Sequence, residues 1–284
     1  MKKHLSTIIL ISILVIGLSL LLYPSVSDYW NSFHQSYAIS EYVETVSNMD
    51  EAKHKQLFNN AVEYNKKLSS SPTHWRLKSE EIDEYKKLLD ISGTGIIGQI
   101  EIPKISCSLP IYHGTEDDVL QIAVGHIPGS SLPIGGESSH SVLSGHRGLP
   151  SAKIFTNLNL MEIGDLFMIR VMNEVLTYEV DNIRIVEPDD FSTLGISTGE
   201  DLCTLVTCTP YGVNTHRLLV RGHRVENVKV SSSVKVTADA MQIEPTFIAI
   251  IIGVPLLIFV FVLMIKLRRK SVSITLMLND INNS

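Results

Sequence analysis

Two runs without charged residues, one near each end of the chain, constrain the fold most. Residues 5–22 follow a basic start and are just long enough to cross a bilayer, which takes about 20 residues. A cleaved signal peptide is the alternative, because residues 25–27 (SVS) offer a small-x-small pattern. Residues 245–265 form the second charge-free run, which predicts a transmembrane helix. Under either reading of the first run, the segment between the two lies outside the cytoplasm.

Basic residues flank both runs on their outer sides. Lys2 and Lys3 precede the first run, and residues 266–270 (KLRRK) follow the second. Cytoplasmic flanks of membrane helices carry an excess of Lys and Arg. We therefore expect both termini in the cytoplasm if the N-terminal segment, residues 1–27, is retained. Residues 266–284 would then be a cytoplasmic tail.

The segment between the runs changes its hydrophobic period once. Residues 28–94 carry apolar side chains at three- and four-residue spacing, which predicts helices, with a Ser- and Pro-containing loop at residues 69–78. From residue 95 to 228, short β-rich runs are broken by Gly, Pro and Asn, which predicts a mainly β sandwich or closed barrel. These runs are residues 96–105, 142–143, 166–171, 176–185, 202–208 and 218–220. Residues 229–244 are polar and predict a linker.

Composition excludes several classes of function. The formal net charge of −6 gives no basic patch for nucleic acid. The ten histidines and three cysteines show no metal-ligand spacing, so we expect no metal and no cofactor. Cys203 and Cys208 lie on opposite faces of one predicted strand, roughly 16 Å apart, too far for a disulfide. We interpret Cys107 and Cys203 as core residues.

The stretch from residue 201 to 224 predicts a strand, a loop with Pro210 and Gly212, and a returning strand from about residue 216. If the strands pair antiparallel, Cys208 faces Arg217 at the loop end of the hairpin. A thiol beside a fixed cation is a plausible nucleophile site, because the cation favours the thiolate. The alternative is a small buried apolar residue, which is the commoner role of a single Cys in a strand.

A second element upstream favours the catalytic interpretation. A short apolar strand in residues 141–150 ends in Gly145-His146, which places a histidine at a strand terminus. A Cys with a separate His fits the scheme of a nucleophile and a proton carrier. His126 also follows a glycine, and we expect it to stabilise a loop instead.

Five segments together resemble the sortases, the surface-protein transpeptidases of Gram-positive bacteria, and within them class C, the pilin-polymerising group. They are GIIGQIEIPKI (95–105), LPIYHGT (109–115), GHIPGSSLPIGG (125–136), SGHRGLPSAKIFTNL (144–158) and TLVTCTPYGVNTHRLLVRG (204–222). The resemblance implies an eight-stranded sortase-type β-barrel, with an N-terminal helical segment and two flanking transmembrane helices. It also places the catalytic His, Cys and Arg of the family on His146, Cys208 and Arg217.

The resemblance implies cleavage of an LPxTG-like sorting signal after its threonine. Cys208 would attack as a thiolate and His146 would transfer protons. Arg217 would hold the substrate or stabilise the carbonyl oxygen. Thr207 would contact the substrate or the oxyanion, with a purely structural strand position as its alternative.

In class C the acyl group passes to a lysine amine of a pilin subunit, so the implied partners are pilins with LPxTG-like signals and the cell membrane. Two other functions stay open. The enzyme could anchor surface proteins to cell-wall peptide or mainly hydrolyse its substrate. The same barrel could also be a non-catalytic membrane scaffold.

One loop departs from the class C pattern. Class C sortases often carry an Asp-Pro-aromatic lid over the cysteine, whereas residues 71–75 here read SPTHW. An acid before the proline and an aromatic residue directly after it are both missing. We therefore expect the loop 69–78 to be mobile or displaced and Cys208 to be reachable from solvent. Trp75 would either plug the groove or pack against its neighbouring helix.

Overall fold

The computed structural model describes residues 2–70, 75, 77–227 and 262. Apart from Val262, the predicted linker, second membrane helix and cytoplasmic tail lie outside these residues. The second transmembrane helix of the predicted fold is therefore not confirmed.

In the described segments of the chain, three helices precede the barrel, and the sequence predicts helices for residues 28–94. They are α1 (Lys2–Ser47), α2 (Glu51–Ser69) and α3 (Ser79–Tyr85). Asp50 caps α2, because its carboxylate accepts hydrogen bonds from the backbone N–H groups of Ala52 and Lys53. Helix α3 ends at Tyr85, and Leu89 takes a left-handed backbone with φ of 60°.

Among the described residues, one helix is long and apolar enough to cross a membrane. It is α1 from Ile9 onward, with a mean hydropathy of 2.4 in its most apolar window. A secretory signal sequence meets the same criteria of length and composition. Both alternatives for the N-terminal segment therefore remain compatible with the structure.

Eight strands close into a barrel in the order β1-β2-β3-β4-β7-β8-β6-β5. The mainly β fold and the eight-stranded barrel are thereby confirmed. The strands are β1 (Ile96–Ile102), β2 (Cys107–His113), β3 (Val124–His126), β4 (Ser139–Ser144), β5 (Leu166–Val171), β6 (Glu174–Val186), β7 (Asp201–Thr209) and β8 (His216–Val225).

The sequence pattern missed β2 and β3. Pro110 lies inside β2, where a proline argues against a strand because it cannot donate to the ladder. The three residues of β3 are too few to show a period. The predicted strand 96–105 is also shorter than expected, because a 3₁₀ turn beginning at Pro103 follows β1.

Inward-facing side chains of the strands form one hydrophobic core, and the helices pack on it. Tyr42 of α1 joins this core, and its hydroxyl donates to the Ile97 carbonyl at 3.2 Å. The Asn65 side chain of α2 pairs with both backbone groups of Leu132, at 2.7 and 3.0 Å. These buried bonds fix the helical segment against the barrel.

All three cysteines are free thiols. Cys203 is fully buried in the barrel core, as predicted, and burial raises the pKa of its thiol. Burial also raises the pKa of Cys107 to about 12. Neither thiol is therefore suited to act as a nucleophile near neutral pH.

Candidate active site

The β7–β8 hairpin has the register that side-chain alternation predicts. Cys208 pairs with Arg217, and Thr204 pairs with Arg221. The connecting turn uses left-handed backbone at Gly212 and Asn214, with φ of 75° and 61°. Because β7 ends one residue past Cys208, the thiol lies at the end of a strand and is only partly buried.

The parallel pairing of β4 with β7 brings the strand end that precedes His146 to the end of the barrel at which Cys208 lies. We call this end of the barrel, with Cys208 and Arg217, the edge. Ser144 pairs with Val206, and the next bond, Gly145 N–H to the Val206 carbonyl, is 3.0 Å. Continuing this register by two residues sets His146 beside Cys208. Neighbouring strands lie roughly 4.8 Å apart. The structure thus pairs Cys208 with Arg217 directly, and the β4–β7 register, extended past its last pair, predicts His146 beside Cys208. All three residues are partly exposed.

Gly145 fixes the backbone that leads into His146. A Cβ at this position would lie 2.7 Å from the ring of Phe155 and 2.9 Å from Ile154. The Phe155 N–H also donates to the His146 carbonyl at 3.0 Å. The end of β4 thus packs too closely on this turn to admit any side chain at residue 145.

The side chain of Thr207 points into the barrel and not towards the exposed edge that carries Cys208. Its side chain is buried, and its hydroxyl donates to the Gly145 carbonyl at 2.7 Å. That contact supports the structural alternative for Thr207, in which it ties β7 to the strand end before His146.

Two arginines of β8 have different surroundings. Arg221 forms two 2.9 Å hydrogen bonds with the carboxylate of Asp181, which raises the pKa of its guanidinium. Nη1 of Arg217 donates to the carbonyls of Asn214 and His216, at 3.3 and 3.2 Å. In the part of the chain that the structure describes, Arg217 forms no ion pair. Its charge is therefore available to an anionic or polarised group at the edge.

An apolar strip continues from Cys208 along the outer face of the sheet. Val206 and Leu219, each two residues from the Cys208–Arg217 pair, form a buried cluster with Val142 and Leu194. Further along, a cavity of about 300 Å³ opens under the β6–β7 loop. Thr204 and Arg221 line it, together with loop residues of the segment 192–197. The cluster and the cavity follow one another along β7 from Cys208 towards Thr204, and we call this stretch the groove.

Trp75 packs on this strip. Its side chain lies against the Val206–Leu219 cluster, and its ring centroid is 5.7 Å from that of Phe191. Of the two alternatives for Trp75, this packing supports the one in which it covers the groove. Residues 71–74 and 76 of the loop lie outside the described residues, so the expectation of a mobile or displaced loop stays a prediction for them. The ring of Trp75, three residues past Pro72, thus shields part of the apolar strip from solvent.

Removing this cover should ease entry of a peptide. We expect Trp75→Ala to raise the rate of Cys208 acylation by a subsaturating LPxTG-like peptide by about two- to tenfold. The range corresponds to the 0.5–1.5 kcal/mol of an aromatic pair such as Trp75–Phe191. Stopped-flow mass spectrometry of the full chain in detergent micelles would measure it. Trp30→Ala, which removes the other tryptophan, is the matched control, and equal rates in all three proteins would contradict a covering role.

The competing histidines have other roles. His126 is fully buried, its Nε2 donates to the Ser131 carbonyl at 2.8 Å, and its Nδ1 lies 2.8 Å from the Tyr85 hydroxyl. Burial lowers its pKa to about 3, so it stays neutral and joins α3 to the loop after β3. His216 lies 3.3 Å from Glu187 instead. Within the described ranges, no group of three or more His, Cys, Asp or Glu could hold a metal ion.

Residues 100–225 match the model of a known family, the Sortase domain. The chain is 54% identical to the crystal structure of sortase C1 from Streptococcus agalactiae, with 68% of this chain and 100% of that chain covered and a TM-score of 0.66. It is 43% identical to sortase C of Streptococcus pneumoniae, whose crystal structure gave insight into catalysis and pilin substrate specificity. That match covers 67% of this chain and 97% of that chain, with a TM-score of 0.61.

Sortase D of Bacillus subtilis is 35% identical over 131 residues, which are 45% of this chain and 63% of that protein. The chain spans less than two thirds of the length of the curated relatives it matches.

Proposed function

The chain belongs to the sortase family of cysteine transpeptidases, and we propose that it joins pilin subunits through isopeptide bonds. In this reaction it would cleave an LPxTG-like sorting signal after the threonine and transfer the acyl group to a lysine amine of another pilin. The observation that supports the proposal is the pairing of Cys208 with Arg217 at the end of β7, next to the strand end that leads into His146.

We propose one step for each of the three residues. The Cys208 thiolate attacks the threonine carbonyl carbon, and the carbon–nitrogen bond to glycine breaks as a thioester forms. His146 gives a proton to the leaving amine and later takes one from the attacking lysine. Arg217 faces Cys208 and has no carboxylate partner among the described residues, so it stabilises charge on the carbonyl oxygen or holds the peptide.

The groove fits the acyl half of the signal. The four residues L-P-x-T span roughly 10 Å when extended, which fits within the roughly 13 Å along β7 from Cys208 to Thr204. A peptide with its threonine at Cys208 would cross the apolar strip and reach the cavity under the β6–β7 loop. Its proline and leucine would then replace Trp75 over Val206 and Leu219.

Two considerations favour a pilin lysine as the acceptor. Matches at 43% and 54% identity are to sortases of the C group, and the pneumococcal structure concerns pilin substrate specificity. The domain layout is also compatible with action at a membrane. Residues 95–228 would be the catalytic barrel, held outside the cell by the segments 1–27 and 245–265, with residues 28–94 covering the barrel.

A transfer assay tests the proposal. We expect the full chain in detergent micelles to link pilin subunits ending in an LPxTG-like signal into a ladder, with a Thr–Lys isopeptide bond detected by mass spectrometry. A pilin in which the acceptor lysine is changed to arginine is the control, and it should give the cleaved monomer only.

Two other outcomes would contradict polymerisation. Transfer to a short cell-wall-like peptide amine, without a pilin ladder, would favour the anchoring function. Absence of any thioester on Cys208 would favour the non-catalytic scaffold.

A further inference from the structure

Arg147 connects the two chain segments that carry His146 and Cys208. It follows His146 directly, and its Nη1 donates to the hydroxyl of Thr209, the residue after Cys208, at 3.2 Å. Its Nε donates to the Thr156 carbonyl at 3.3 Å, in the turn that follows β4. One planar side chain thus links the segment of Thr156 to that of Thr209. A lysine, with a single nitrogen, could not reproduce both hydrogen bonds in this geometry.

This connection lies where the backbone ladder between β4 and β7 ends. The last paired residues are Ser144 and Val206, and one further bond joins Gly145 to β7. His146 and Cys208 stand two residues beyond that last pair. The Arg147–Thr209 hydrogen bond extends the connection past them, so that the proposed proton carrier and the thiol are held from both sides.

Arg147 also holds the loop between β7 and β8. Its guanidinium lies 5.9 Å from the ring centroid of Tyr211, in the range of a cation–π contact. The same ring packs on Gly148, where φ is 78° and a Cβ would come within 2.8 Å of it. Tyr211 stays 60% exposed despite these contacts. This loop leads into β8 and Arg217, so Arg147 contacts the supports of all three proposed catalytic residues.

We propose that Arg147 is a positioning residue for acyl transfer, which fixes His146 at the distance from Cys208 that proton transfer needs. The proposal depends on the transpeptidase function given above. Across the described residues, neither Arg147 nor the residues it contacts line the cavity or the Val206–Leu219 cluster, so we expect it to act on the chemical steps and not on peptide binding. A small misplacement of a catalytic group lowers the rate steeply, by about a hundredfold for 1 Å.

Steady-state kinetics with the full chain in detergent micelles, an LPxTG-like peptide and a small amine test this role. We expect Arg147→Ala to lower kcat by about ten- to a hundredfold while KM stays within about twofold. Arg147→Lys should recover part of kcat, because it keeps one donor near Thr209. Arg170→Ala is the matched control, since that arginine pairs with Glu101 on the β1–β5 side of the barrel.

A second variant separates positioning from a loss of folding. Thr209→Val removes the acceptor hydroxyl at nearly constant volume, and the double variant should be no slower than Arg147→Ala alone. Additive losses, a rise in KM without a fall in kcat, or full activity of Arg147→Ala would each overturn the positioning role. A wild-type chain that forms no acyl-enzyme would contradict the proposed function itself, which is a distinguishable result.

Discussion

Cys208→Ala is expected to abolish the covalent adduct with an LPxTG-like peptide, whereas Cys107→Ala and Cys203→Ala should retain it. The nucleophile splits one acyl transfer into two steps, and its removal from a comparable enzyme lowers kcat by about 10⁶-fold. The other two thiols are held protonated by burial, which raises the pKa of Cys107 to about 12 and that of Cys203 as well.

Intact-mass spectrometry of the full chain after brief exposure to the peptide would measure the thioester. The alanine variants of Cys203, in the core, and of Cys107, partly buried against the core, are matched controls for the loss of a thiol elsewhere in the barrel. A peptide adduct that persists on Cys208→Ala would show that another residue is the nucleophile.

Arg217→Lys is expected to lower kcat/KM by about a hundredfold. A fixed donor to a developing oxyanion typically contributes about 3 kcal/mol, which corresponds to that factor. Lysine keeps the charge but loses the planar arrangement of donors that now reaches the Asn214 and His216 carbonyls. Its ammonium group would therefore sit less rigidly opposite Cys208.

Arg170→Lys provides the comparison, because it changes a guanidinium paired with Glu101 on the β1–β5 side of the barrel. Arg221 is a poorer control, since it lines the cavity at the end of the groove. Comparable losses at residues 217 and 170 would mean that the effect reflects stability and not charge stabilisation at the edge.

Local patterns in the sequence predict the β7–β8 hairpin but not the pairing of β7 with β4. The register of Cys208 with Arg217 follows from side-chain alternation and a short loop, both of which are contained in 24 residues (201–224). The bounds of β5 also follow from composition, because residues 166–171 stand between turn signals. Where a strand is broken by Pro110 or is three residues long, as in β2 and β3, the pattern fails.

Contacts between distant parts of the chain had no local signal. The parallel pairing of β4 with β7 joins residues 62 positions apart in the sequence, such as Ser144 and Val206. Only the family resemblance placed His146 with Cys208 beforehand. Trp75 reaches a cluster formed by residues more than 60 positions later, and composition around it suggested a displaced loop. The second membrane helix and the cytoplasmic position of the termini stay predictions.

Spacing at the barrel edge is set by backbone ladders and not by the connections between strands. Cys208 and Arg217 keep their separation because β7 and β8 pair directly, and the end of β4 that leads into His146 is held beside β7 in the same closed sheet. The β6–β7 loop, residues 187–200, contributes cover and cavity walls but none of these three groups. Under the proposed function, we expect that exchanging this loop for a longer or shorter one would change which sorting signal binds without moving Cys208 or Arg217. Recognition of the signal and acyl transfer would then be open to separate engineering in this barrel.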